Sequence, residues 1–463
     1  MFKSNLDDTI AAISTPLGES GIGIVRMSGK DALRIADRTF VSKDGKTPSK
    51  LPTFTTHYGH IVDDGVSRID EVILTIMRAP KTYTREDIVE INCHGGIACL
   101  KKVLDLVVGL GARLAQPGEF TKRAYLNGRI DLAQAEAVLD VIHAKTDASL
   151  RVALNQLEGE LSREIRSSRG QLLDILANIE AGIDFPEEDI EVTTLPTIRE
   201  NLKATAMKME RLLATADRGQ VLREGITAAI LGRQNVGKSS LMNAILRRDR
   251  AIVTSIPGTT RDTIEEIADI GQIPVRLVDT AGIVETMDLI ARKGVQRSQM
   301  YLARADLILL VLDGSEPLTD EDRRLLADVR ARPTIVIVNK IDLDQKIELE
   351  EVRENLPNRR ITNISATQRI GLDLLEDAIT QMVWKGEVLI TDELLITNVR
   401  HKDALVKALQ AIERTTKGMD KGLGLELIAI DVKEAFDSLG EIVGEVVTED
   451  LLDRIFSEFC IGK

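Results

Sequence analysis

Hydrophobic and polar positions fall into three textures along the chain. From Thr9 to about Tyr125, short strand-like runs are cut by turns. IGIVRMSG (Ile22–Gly29) and EVILTIMRAP (Glu71–Pro80) predict strands closed by glycine or proline. Six of the 13 aromatic residues lie in this part, which predicts a compact α+β unit. From about Asp131 the apolar spacing changes to threes and fours. Leu154, Leu157, Leu161 and Ile165, then Leu172, Leu176 and Ile179, predict one long helical stripe with Glu, Arg and Gln on the other face. No proline and only three glycines fall between Leu132 and Phe185. Phe185-Pro186-Glu187-Glu188 closes the stripe, and a second helical run is expected from Ile198 to Ala216, so this stretch predicts a helical bundle.

From Gly225 strands and charged helical stretches alternate. ITAAIL (Ile226–Leu231), PVRLVD (Pro274–Asp279), DLILLVLD (Asp306–Asp313), TIVIVNK (Thr334–Lys340) and ITNIS (Ile361–Ser365) have buried-strand patterns. They predict a doubly wound, mostly parallel sheet. After about Trp384 helical texture returns up to Lys463. The expected architecture is multidomain, α+β and α/β: an N-terminal unit over 1–125, a discontinuous helical unit over 126–222 and 385–463, and an inserted α/β unit over 223–384.

Composition narrows the class. At 43% hydrophobic and 29% charged residues, the 463-residue chain fits a soluble protein with several cores. The best apolar run, Ala305 to Leu312, is broken by Asp306 and too short for a membrane span. MFKSNLDDTI lacks the basic-then-apolar pattern of a signal peptide, so a reducing, cytoplasmic location is the default expectation. The cysteines are Cys93, Cys99 and Cys460; an odd count without a CxxC pair argues against a disulfide framework and a zinc site. A net charge of −13 disfavours a broad phosphate-neutralising surface, so any nucleic-acid contact must be local or supplied by a partner.

The inserted unit carries the chemistry. Gly232-Arg-Gln-Asn-Val-Gly237-Lys238-Ser239 matches the P-loop pattern, between a predicted strand and the helix containing Leu241–Leu246. Glycines let backbone N–H groups curl around phosphates at a helix N-terminus. Lys238 is expected on the β- and γ-phosphates and the Ser239 hydroxyl on Mg²⁺. Three more motifs follow in order. Gly258-Thr259-Thr260-Arg261-Asp262 offers Thr260 to complete the Mg²⁺ shell. Asp279-Thr280-Ala281-Gly282 ends a strand, where Asp279 reaches Mg²⁺ through water and the Gly282 N–H senses the γ-phosphate. Asn339-Lys340-Ile341-Asp342 places a carboxylate that accepts from both N1–H and the exocyclic amine of guanine. Adenine lacks that donor pair, so Asp342 selects GTP. Ser365-Ala366-Thr367 would bring backbone N–H groups to guanine O6. Asn235, Val236, Ser240, Thr254, Ser255, Ile256 and Pro257 complete the expected nucleotide contacts.

The whole chain, Thr9 to Lys463, resembles the MnmE (TrmE) family of tRNA-modifying GTPases. The likeness is carried by TPLGESGIGIVRMSG, CHGG at Cys93–Gly96, PGEFTKRAYLNGRIDLAQAEAV after Gln116, the GTPase motifs, Ile283 after the DTAG glycine, and Phe459-Cys460-Ile461-Gly462-Lys463. The resemblance implies a dimerising, folate-binding N-terminal domain and a Ras-like GTPase domain. It implies a folate site at Arg26, Glu90, Arg129 and Lys463, taking a 5,10-methylene or 5-formyl tetrahydrofolate; Arg129 stands where a lysine is usual. Cys460 is implicated in tRNA modification, whereas Cys93 and Cys99 are read as structural. K⁺ would be held by Asn235, Thr254, Ile256 and Thr259, offsetting charge that develops on the transferring phosphoryl group. The implied partners are a second copy, an FAD-dependent MnmG (GidA) in a heterotetrameric or larger complex, and tRNA. The implied outcome is a carboxymethylaminomethyl-type group at C5 of the wobble uridine.

The chain departs from the family pattern in one consequential place. The family orients the attacking water with a glutamate in a segment resembling DTAGIRETxDxVE. Ungapped alignment from Asp279 puts Ala291 there, and Gly294, Arg297 and Ser298 keep register. Val284 likewise replaces a basic residue before Glu285, and Arg85 stands where YTGED has glycine. Either Glu285 or Asp288 substitutes, or hydrolysis is slow; losing one water-positioning group raises the barrier by about 2–4 kcal/mol, by analogy with losing one preorganised polar group. The expectation is weak, K⁺-stimulated hydrolysis. The alternatives are a GTP-switched binding module with negligible turnover and a GTP-regulated, folate-dependent one-carbon transferase.

Overall fold

The computed structural model describes residues 7–63, 67–184, 190–249, 266–279, 305–386 and 393–463. The first sheet holds β1 (Ile10–Ile13), β2 (Gly23–Ser28), β3 (Phe40–Ser42), β4 (Thr55–Asp63), β5 (Ser67–Met77), β6 (Ile88–Cys93) and β7 (Arg113–Leu114). Their order is β3-β4-β5-β6-β2-β1-β7, antiparallel except for β1 beside β7. Both predicted strands are present. The helix Ile97–Gly109 buries Leu100, Val103 and Val107, spaced by three and four, against Val25, Met27 and Ile91 of the sheet. Arg85 takes a left-handed φ of 62°, and its Nη1 donates to Asn127 O at 2.8 Å.

The second sheet holds β8 (Ile226–Leu231), β9 (Glu266–Ile270), β10 (Ile273–Asp279), β11 (Leu307–Asp313), β12 (Thr334–Asn339) and β13 (Arg360–Asn363), in the order β13-β12-β11-β8-β10-β9. All neighbours are parallel except β9, an antiparallel edge strand that the hydrophobic pattern did not announce. Helices cover both faces, so β11 is apolar up to its closing Asp313 and buried throughout. Its Leu307, Leu309 and Val311 face one core, while Ile308, Leu310 and Leu312 face the other.

The helical parts pack together. Leu161, Ile165, Leu172 and Ile179 of the helix Glu160–Asp184 share a core with Ala404 and Ala408 of Val399–Asp420 and with Val432 and Leu439 of Leu425–Val443. The predicted stripe needs one correction. A helix ends at Leu157, Gly159 turns through a φ of +83°, and Leu154 is left 41% exposed. The left-handed residue resets the helical phase, so only the residues from Leu161 onward form the seam. The second run also differs: one helix spans Ile190–Ala214 with Pro196 inside it, and another spans Ala216–Glu224. Phe185 to Glu188 lie outside the described residues.

The chain leaves the bundle for the second sheet and returns beside its own exit. Thr215 Oγ1 accepts from Ile396 N at 3.0 Å, and Gln156 Nε2 donates to Leu395 O at 2.9 Å. A Cβ on Gly219 would stand 2.1 Å from Ile396 O, so the two backbones meet where only glycine fits. A buried charge cluster joins the two helical stretches next to this neck. Glu136 takes Arg400 Nη2 at 2.6 Å, His401 Nε2 at 2.8 Å and Asn398 Nδ2 at 3.0 Å. Burial alone would raise the Glu136 carboxyl; His401 and Arg400 outweigh it and hold it down at about 2.

Candidate functional site

β8 ends at Leu231 and the helix Lys238–Asp249 begins seven residues later, so the P-loop is the connection between them. Its path depends on left-handed backbone. Gly232 (φ +152°) lies where a Cβ would strike Val311 O at 2.4 Å, and Gly237 (φ +98°) where one would strike Asn339 Nδ2 at 2.3 Å. Asn235 also has a positive φ, 60°, and is exposed. Lys238 is buried, and its ammonium donates to Gly232 O at 2.9 Å and Arg233 O at 2.7 Å, back across the loop. Val236 is buried under the loop, while Ser239 and Ser240 are exposed in the first helical turn. That hydroxyl-bearing turn has the hard-oxygen chemistry Mg²⁺ takes.

Asn339, at the end of β12, ties the motifs together. Its Nδ2 donates to Val236 O at 2.8 Å, and its Oδ1 accepts from Ala366 N at 3.0 Å. One buried amide therefore spaces the P-loop from the Ser365–Thr367 turn. Ser365 is buried and pairs with Ile370 across the turn, and Gln368 N donates to its Oγ at 3.2 Å. Asp342 is exposed just beyond Lys340, which has a φ of 65°. Lys340 Nζ reaches Asp313 Oδ2 at 2.5 Å. Burial pushes the Asp313 carboxyl up, but hydrogen bonds from Lys340 and Ser315 leave it below its ordinary value. Sequence reasoning missed Asp313, although it closes β11 directly opposite Asn339 of β12. Thr254, Ser255, Ile256, Pro257, Gly258, Thr259, Thr260, Thr280, Ala281, Gly282 and Ala291 lie outside the described residues, and of Asp279 only the strand position is described.

A second cluster forms on the first sheet. Arg26 and Glu90 are cross-strand partners on β2 and β6, joined at 2.7 Å. Arg26 Nη1 also donates to Gly462 O at 3.2 Å. Gly462 (φ +96°) lies where a Cβ would press on Ile13 O at 2.6 Å, and Phe120 N donates to Lys463 O at 3.1 Å. These contacts bring Lys463 beside Arg26 and Glu90. Burial, and then Arg26, push the Lys463 ammonium below its ordinary value. Arg129 stacks over Tyr83 at 4.9 Å, and the charges of both Arg129 and Arg26 act on the Tyr83 hydroxyl. Burial is the larger effect there and raises that phenol. Arg26, Glu90 and Lys463 thus meet, and Tyr83, under Arg129, feels the charge of Arg26 as well. Three cations and one carboxylate suit an anionic glutamate tail and a hydrogen-bonding pterin. Cys460 is exposed nearby, its carbonyl accepting from Gly118 N at 3.4 Å and Lys463 N at 3.3 Å.

Two family models match: the GTP-binding protein TrmE N-terminus over residues 9–129, and the MnmE helical domain over residues 132–460. The chain belongs to the MnmE (TrmE) family. A protein named tRNA modification GTPase MnmE from Geobacillus kaustophilus is 52% identical over 458 residues, spanning 98% of this chain and 99% of that one. Its namesake from Alkaliphilus oremlandii is 50% identical over 459 residues, spanning 99% and 100%. A crystal structure of an Aquifex aeolicus Era variant bound to GDP and aluminium fluoride is 28% identical, covers 40% of this chain and 66% of that one, and has a TM-score of 0.29. Family membership follows from the sequence matches alone. No helix among the described residues is long and apolar enough to cross a membrane.

Proposed function

We propose that the chain is a GTPase that acts in tRNA modification, dependent on Mg²⁺ and stimulated by K⁺. With an FAD-dependent MnmG partner it helps to install a carboxymethylaminomethyl-type group at C5 of the wobble uridine. The observation that carries the nucleotide half is the Asn339 amide, which spaces the phosphate loop from the Ser365–Thr367 turn. Asp342 at the same strand end supplies the guanine-selective carboxylate, and Lys238 the cation for the phosphates. Ser239 and Thr260 would hold Mg²⁺; Asn235, Thr254, Ile256 and Thr259 would hold K⁺. A bound cation there supplies charge against the oxygens of the transferring phosphoryl group.

In this reading the one-carbon unit comes from a tetrahydrofolate at Arg26, Glu90, Arg129 and Lys463. Two chains associate through the N-terminal unit, and hydrolysis drives conformational change instead of the carbon chemistry. Cys460 takes part in the tRNA step. The net charge of −13 supports a division of labour in which the partner carries much of the tRNA. Ala291 favours one competing reading, a GTP-switched module with little turnover.

Hydrolysis rates in KCl and NaCl, for this chain and for Ala291→Glu, decide between the two. We expect slow, K⁺-stimulated turnover that the glutamate raises by about 10²–10³-fold. A fast rate that the glutamate leaves unaltered rejects the role given to position 291. Nucleoside analysis of tRNA from cells lacking the chain tests the wider reading, which unchanged wobble uridines would defeat.

A further inference from the structure

Cys93 and Cys99 have no part in the nucleotide or folate readings, yet the fold sets them in a specific place. Asp70 lies on β5, three residues before Ile73, the first β5 residue paired with β6. That antiparallel register carries Asp70 to the point where β6 ends at Cys93. The chain then turns through His94-Gly95-Gly96 into the helix Ile97–Gly109, whose first turn carries Cys99. One ligand atom each from Asp70, Cys93 and Cys99 lies within 4.8 Å of the other two.

We propose that Asp70, Cys93 and Cys99 bind a zinc ion. Ligands about 2.0–2.3 Å from one zinc stand roughly 3.3–3.8 Å apart in a tetrahedron, so small side-chain rotations close the present spacing. The Cys99 thiol already donates to Asp70 Oδ2 at 3.1 Å. The carboxylate is held in place by Glu71 N at 2.9 Å, His94 N at 2.8 Å and His94 Nδ1 at 2.7 Å. Such outer hydrogen bonds orient a metal-binding carboxylate. His94 is exposed, and its Nδ1 keeps that outer contact with Asp70.

Two sulfurs and one oxygen select a borderline-soft cation over Mg²⁺ or Ca²⁺. Metal binding expels one proton from each thiol and gives two thiolates and a carboxylate around a divalent ion. Cys93 is buried and Cys99 half-buried, so the ion would enter from the His94 side. The bound ion would pin the β5 and β6 ends to the helix that covers the sheet.

The test measures zinc in the purified full chain by mass spectrometry, then replaces it with Co²⁺ under reducing conditions. We expect one metal per chain and an intense thiolate-to-cobalt band in the near ultraviolet. Cys99→Ser, at a half-exposed position, and Asp70→Asn should each weaken zinc binding by more than about tenfold, the lower end for losing even an outer-shell contact. Cys460→Ser should leave stoichiometry and spectrum unchanged. A metal content far below one, a cobalt band left unchanged by Cys99→Ser or lost in Cys460→Ser, or a Cys93–Cys99 disulfide in place of metal would each overturn the proposal.

Discussion

The two sheets carry their candidate sites in different ways. On the second sheet, contiguous runs at strand ends do most of the work: the P-loop after β8 and Asn339 to Asp342 after β12. On the first sheet the cluster is assembled across the chain, with Arg26 donating to Gly462, 436 positions away. A contiguous motif needs only its own strand and turn. A convergent cluster needs the complete fold, because each residue reaches the site on a different element. The second kind is therefore more exposed to global destabilisation than to any local change.

The largest expected effect lies between the sites. Arg400→Ala leaves the Glu136 carboxylate buried without its guanidinium, which costs about 3–5 kcal/mol, read by denaturant unfolding. The proposed folate cluster should fail before nucleotide binding does; equal loss of both would erase the contrast. The same junction fixes a pH dependence. The folded-state pKa of Glu136 is depressed, so its contribution is full above the ordinary value of 4.5 and is lost as pH falls toward about 2. Acid unfolding that Glu136→Gln leaves unshifted would remove this role.

Next comes Lys238→Ala, which should slow single-turnover GTP hydrolysis by roughly 10²–10³-fold while tetrahydrofolate binding holds. Arg26→Ala should cost about 1.5–3 kcal/mol of tetrahydrofolate affinity, the range for a hydrogen bond to a charged group, and leave GTP binding intact. Titration calorimetry with both ligands separates the cases. Asn339→Ala should be smallest, weakening guanine-nucleotide binding by about 1–3 kcal/mol through the Val236 and Ala366 groups left unsatisfied. A loss of folate binding in Asn339→Ala would show that the two regions are not separable.

Legibility followed the same division. Every predicted strand is present within a few residues, because buried strands read as apolar runs. β9 escaped because EIADI is short, acidic and at a sheet edge. The helical seam was misjudged at Leu154, since Gly159 resets the phase and neighbouring spacings do not reveal it. Asp313, Tyr83 and Asp70 were invisible for one reason: each acquires its partner through strand register or stacking, not through spacing. Cysteine spacing reads only neighbours in sequence, whereas β5 brings Asp70 from 23 positions upstream to Cys93.

The neck at Gly219 has a mechanical consequence. Two backbones too close for a methyl group make a tight joint between the helix Ala216–Glu224 and the chain that returns from the nucleotide-binding sheet at Ile396. A chain with Gly219→Ala would have that joint wedged apart. Under the proposed function, such a chain would still hydrolyse GTP while less of the movement passed to the bundle.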